Sequence, residues 1–60
     1  MMNWLFEIRS GEWEGEMFFV QTNSKQSAFY TARQVAEDEK IQCIGIYNDE
    51  EAERMGYDTY

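Results

Sequence analysis

Twelve of the sixty residues are carboxylates and none is histidine. Two groups of these acids stand out. Glu12, Glu14 and Glu16 alternate around Trp13 in the segment GEWEGE, and Glu37, Asp38 and Glu39 follow one another without a break. Paired carboxylates can share acid–base work when a cleft holds them apart by a fixed distance. A chain of this length hides only about 60% of its unfolded surface on folding, which leaves little material for such a cleft. Neither acidic group has the ligand spacing and central glycine of a calcium loop, so any cation held there would be held nonspecifically. The sole cysteine, Cys43, lies in the middle of the mostly apolar segment IQCIGIY. Without a histidine base it reads as an inert buried thiol. The glycines, at 11, 15, 45 and 56, form no phosphate-binding loop. The expectation is a protein that is not an enzyme, with no cofactor, no metal and no catalytic residue. What remains is recognition. Tryptophan is enriched at binding hot spots, and one ringed by charge has the form of an anchor with a steering rim.

Twelve acidic residues against five basic ones give a formal charge of −7. Attraction to phosphate dominates nucleic-acid binding, and anionic lipid selects basic segments. Direct nucleic-acid binding and membrane binding are therefore not expected. The charge suits a protein partner with a basic surface, including one that itself binds nucleic acid, where carboxylates would stand in for phosphates. It equally suits plain solubility. The N-terminal MMNWLFEIRS lacks a basic region and is broken by Glu7 and Arg9 too early for a secretory signal. The longest apolar run is MFFV, far short of a span. With one cysteine and no disulfide to form, the expected compartment is the cytoplasm.

The elements that must position these groups are legible in outline. Residues 3–9, NWLFEIR, alternate as a half-buried strand, and residues 16–22, EMFFVQT, are rich in strand formers. Setting Arg9 opposite Glu16 pairs Ile8 with Met17, Phe6 with Phe19 and Trp4 with Gln21, and leaves Gly11 to Glu14 as the hairpin tip. A tighter turn at Ser10-Gly11 would oppose Glu7 and Glu14, which is repulsive. Residues 24–40 predict a helix with a stripe of Ala28, Phe29, Ala32, Val35 and Ala36, capped by Asn23 or Ser24. Residues 41–47 predict a third strand, apolar on both faces and therefore well covered or at an oligomer contact. Asn48 and Glu51 form a capping box for a short helix, DEEAERM, with Gly56 as its stop. Residues 57–60 are a tail that either frays or folds back on its two tyrosines. The fold class is α+β, one domain over 1–60. Strand three can lie beside strand one or, through a right-handed crossover, beside strand two. The order preferred is 3-1-2, a three-stranded antiparallel sheet with the main helix on one face.

This topology sends both acidic groups to the hairpin end. A last helical turn carrying Glu37, Asp38 and Glu39 opposes its macrodipole, by about 0.3–1 kcal/mol per exposed charge. Asp49, Glu50 and Glu51 at the start of the second helix instead complement it. Exposed charges are also cheap, because salt screens them over about 8 Å. Trp13 has two readings, a binding anchor or a lid over the end of a small core. The first function expected is an acidic interaction module that docks on a basic partner protein. Its partner-binding residues would be Glu12, Trp13, Glu14, Glu16, Glu37, Asp38 and Glu39. The alternative is a homodimer or higher assembly without catalytic activity, joined through Ile41, Ile44, Ile46 and a sheet face carrying Leu5, Phe18 and Val20. Size, charge and the missing catalytic groups are the profile of a bacterial or phage accessory protein.

Overall fold

The computed structural model describes residues 1–60. It comprises β1 (Met2–Ile8), β2 (Met17–Thr22), α1 (Lys25–Val35), β3 (Ile41–Tyr47) and α2 (Asp49–Met55). The three strands form one antiparallel sheet in the order β2-β1-β3, which is the order expected from the sequence.

The hairpin register differs from the expectation by one residue. Phe6 faces Phe18 and Trp4 faces Val20. The cause is a bulge at Gly15. The Ile8 carbonyl accepts from the Gly15 N–H at 2.8 Å, while the Ile8 N–H donates to the Glu16 carbonyl at 2.9 Å. Two residues thus oppose one, with Gly15 at φ 92°. This is the bulge type in which glycine supplies the left-handed conformation. Because side chains alternate along a strand, a one-residue slip exchanges the two faces. Phe18 and Val20 therefore join Trp4, Phe6 and Ile8 beneath α1, together with Ala28, Ala32 and Ala36. Phe19 turns to the opposite face, where it is buried with Leu5 and Ala52 of α2. Leu5, Phe18 and Val20 are thus buried, and not an exposed sheet face as the alternative assembly required.

Three alanines let α1 lie close against the sheet. Phe6 is the centre of that layer, with Phe18 stacked at 5.8 Å and Phe29 edge-on at 5.0 Å. Such pairs add about 0.5–1.5 kcal/mol beyond the area they bury. Ser24 caps the helix by accepting from the Ser27 N–H at 3.3 Å.

The helix stops at Val35 and does not run on to Lys40. Geometry explains the difference. α1 has to carry the chain back along β2, whose six residues span about 20 Å. Eleven helical residues cover about 16 Å, leaving room for a turn, whereas a helix continued to Lys40 would run about 24 Å and overshoot. The turn closes through Asp38 N–H to the Arg33 carbonyl at 2.9 Å and Glu37 N–H to the Gln34 carbonyl at 3.2 Å. Glu37 and Asp38 take left-handed φ values of 52° and 65°. They lie beyond the last helical turn, whose charged residue is the favourable Arg33. The rule these acids break is one of backbone conformation more than of the helix dipole.

α2 begins with the expected capping box, Glu51 N–H to Asn48 Oδ1 at 2.8 Å and Asn48 N–H to Glu51 Oε1 at 3.2 Å. It ends at Gly56 with φ 77°. Residues beyond it fold back along the outer edge of β2. Phe19 N–H donates to the Asp58 carbonyl at 2.7 Å, Tyr60 N–H to the Phe19 carbonyl at 2.8 Å and Gln21 N–H to the Tyr60 carbonyl at 2.9 Å. One sheet edge is thereby sealed. The other, β3, is open, and a bulge between its pairings with Leu5 and Phe6 leaves Ile44 unopposed. β3 is accordingly half covered and not enclosed, with Ile44 40% and Ile46 50% exposed.

A left-handed residue with a side chain costs about 1–2 kcal/mol, part of which glycine returns as unfolded-state entropy. Glu37→Gly should therefore stabilise the protein by about 0.5–1 kcal/mol in thermal denaturation. A lower melting temperature would show that the Glu37 side chain contributes more than its backbone costs.

Candidate interaction surface at the hairpin end

The tip is two nested turns. Glu14 N–H donates to the Gly11 carbonyl at 3.2 Å, and Glu16 N–H to the Trp13 carbonyl at 3.0 Å. Glu12, Glu14 and Glu16 point to solvent from this frame, while Trp13 is half-buried. Its ring packs against the edge of the helix-side core. The lid reading of Trp13 describes how the ring sits.

The loop after α1 lies against the tip. Arg9 N–H donates to the Lys40 carbonyl at 2.8 Å, and Lys40 N–H to Ser10 Oγ at 3.1 Å. The Glu39 carboxylate occupies the space above Gly11 so closely that a Cβ there would collide with it. Gly11 is favoured by its conformation, at φ 84°, while the Glu39 side chain above it is flexible enough to move aside. Glu37 and Asp38 are exposed beside it, and Glu39 is half-buried. All seven residues named from the sequence therefore belong to one end of the molecule. None of the six acids is in an ion pair, since the two ion pairs present are Arg9–Glu7 and Arg54–Glu50. The carboxylates are spread over the surface, and no three come close enough to hold a metal ion.

A pocket of about 250 Å³ opens beside Trp13. Trp13, Phe18 and Tyr60 supply its aromatic lining, Ile8, Met17 and Val35 its aliphatic lining, and Glu16 and Asp58 its two carboxylates. Tyr60 meets Phe18 edge-on at 5.7 Å. Two of these residues, Asp58 and Tyr60, escape sequence reasoning. The signal was the pair of tyrosines in YDTY, but only the seal along β2 brings them to Trp13.

Two further features lie elsewhere. An open groove of about 590 Å³ runs between α1 and β3, lined by Trp4, Phe29, Ile41, Cys43 and Ile46, with Lys25 and Gln42 at its margin. At the pole away from the tip, Asn3 is 2% exposed and donates from Nδ2 to Asp49 Oδ1 at 2.7 Å and to the Tyr47 carbonyl at 3.2 Å. Gln21 Nε2 reaches the same Asp49 oxygen at 3.3 Å. These bonds tie both strands of the hairpin to the start of α2. The hydrogen bond from Asn3 holds the Asp49 carboxyl below its ordinary value of 3.8 against the opposing effect of burial, with lesser help from Gln21 and the N-terminal charge.

The architecture is that of a small α+β protein whose distinguishing surface is an acidic end built around a half-buried tryptophan. No family model, curated protein or solved structure matches the chain. No helix is long and apolar enough to cross a membrane.

Because the folded state lowers the pKa of Asp49, the stability it contributes is complete above the unfolded value and disappears as pH falls through the folded one. Asp49→Asn should thus lower the melting temperature at neutral pH, and the gap to the wild type should close below pH 3.8. A gap that stays constant down to pH 2 would remove the charge from the account.

Proposed function

We propose that this protein is a small acidic interaction module that docks on a basic surface of a partner protein through its hairpin end. The observation that carries the reading is the meeting of Glu12, Glu14 and Glu16 with Glu37, Asp38 and Glu39, none of them ion-paired, around Trp13. Six unneutralised carboxylates at one end make a field that steers a basic partner, raising association rates by about 10–10³ at low salt. The strain at Glu37 and Asp38 supports the same reading, since left-handed non-glycine residues concentrate where function holds them. A basic protein that itself binds nucleic acid suits such a surface, because carboxylates would occupy the places of phosphates. The proposed role is non-catalytic and cytoplasmic.

A second reading, a homo-oligomer without catalytic activity, has its own observation in the open β3 edge with Ile44 and Ile46 exposed beside an apolar groove. Edge strands of this kind pair readily with another chain. Antiparallel pairing of β3 with its own copy would, however, set the acids before β3 against Asp49 and Glu50 after it. The first reading is therefore preferred.

Basic proteins captured from a source-organism lysate at low salt and released at high salt provide the partner for a rate measurement. Glu37→Gln with Glu39→Gln should slow that association by about ten-fold and flatten its salt dependence. An unchanged rate would sink the docking role.

Sedimentation at high protein concentration separates the second reading. A monomer is expected. A dimer that Ile46→Lys dissociates would establish the assembly through β3.

A further inference from the structure

The pocket beside Trp13 has a composition that selects its ligand. We propose that it receives the guanidinium of an arginine side chain from the basic partner. The inference rests on the docking reading and adds to it the contact that would give it specificity. A cation over an aromatic face is attracted by the ring quadrupole, most strongly by tryptophan, and here Trp13 and Tyr60 both line the cavity. Glu16 and Asp58 complete it at the rim, both exposed and neither engaged by any lysine or arginine of this chain. Arginine fits better than lysine because its planar group stacks on aromatic rings and offers a fork of donors to carboxylates.

Size points the same way. About 250 Å³ is below the range of about 300–1,000 Å³ typical of cofactor and small-molecule sites, and suits a single side chain. The walls are also held before any ligand arrives. Trp13 is fixed by the two turns of the tip, and the 58–60 segment by its three backbone hydrogen bonds to β2. A site organised in advance loses little freedom on binding. Asp58 and Tyr60 thus acquire a role that the acidic cluster alone does not give them. The tail that seals β2 also builds one side of the pocket.

The probe is N-acetyl-argininamide, titrated at low ionic strength and followed by the indole N–H signals of the two tryptophans in two-dimensional NMR. A saturable shift of the Trp13 signal is expected, with a Kd of about 1–10 mM for so small a ligand. Trp4, whose indole N–H donates to the Thr22 carbonyl inside the core, should not respond. The citrulline analogue, equal in shape but uncharged, should bind at least about ten-fold more weakly, and the lysine analogue several-fold more weakly. Glu16→Gln and Asp58→Asn, both at exposed positions, should each weaken the arginine probe by about five-fold. Glu53→Gln on α2 should leave it unchanged.

Equal binding of the citrulline analogue, a response of Trp4 equal to that of Trp13, or no saturation by 100 mM (about a hundred-fold above the tight end of that range) would each overturn the proposal. Equal binding of the lysine analogue would overturn the choice of guanidinium. A decalysine titration separates this from the broader reading. If decalysine binding falls with Glu37→Gln and Glu39→Gln while the arginine probe never reaches Trp13, the pocket fails and the acidic docking end survives. If arginine seats beside Trp13 but capture of the basic partner ignores those two glutamates, the reverse holds.

Discussion

The facing of the large side chains of β2, and with it the need for cover on both sides of the sheet, follows from the bulge at Gly15. By letting two residues oppose Ile8, it shifts β2 by one position and sends Phe18 and Val20 under α1 and Phe19 to the other side. A sheet with a large apolar residue on each face must be covered twice. The chain meets that demand with unequal elements: eleven residues of α1 on one side, and seven residues of α2 with Tyr47 and Tyr57 on the other. Burying Phe19 is therefore what gives the short C-terminal helix its purpose. With a single cysteine and no cluster of side chains placed to hold a metal ion, so small a domain relies on this double cover for its stability.

The same constraint arranges the charges. Apolar residues take both sheet faces, so the carboxylates are left to the poles and loops. The pole at α2 uses its acids structurally: Asp49 is bonded to Asn3 and Gln21, and the first-turn acids face the positive end of the helix. The hairpin pole has no such compensation. Its acids are unpaired and spread over the tip and the loop after α1, which holds two left-handed residues. The proposed docking role of the hairpin end rests on this contrast between the poles.

The two sheet edges are likewise unequal. Backbone hydrogen bonds of residues 58–60 close the β2 edge, and Asp58 and Tyr60 of that segment line the pocket beside Trp13. The β3 edge has no charge and no proline to discourage pairing, and only the bulge at Ile44 interrupts its regularity. Edge protection and the proposed arginine pocket thus share one segment.

The order of the strands was settled only by the tertiary structure, whereas local patterns in the sequence determined the element types, β3 and α2 to the residue, the capping box and the Gly56 stop. These depend on alternation, on helical spacing and on side chains three residues apart, all of which a short window contains. Tertiary structure alone decided the hairpin register, because a glycine in a tip can either turn the chain or bulge it, and only the demands of both faces choose between them. It also decided the end of α1, where the residues after Val35 keep helix-forming composition but must leave the helix for Lys40 to pair with Arg9. The acidic end was legible because topology brings its parts together whatever the register. The pocket was not, since it joins a hairpin tip, the end of a helix and a tail that lie far apart in sequence, and no local pattern encodes their meeting.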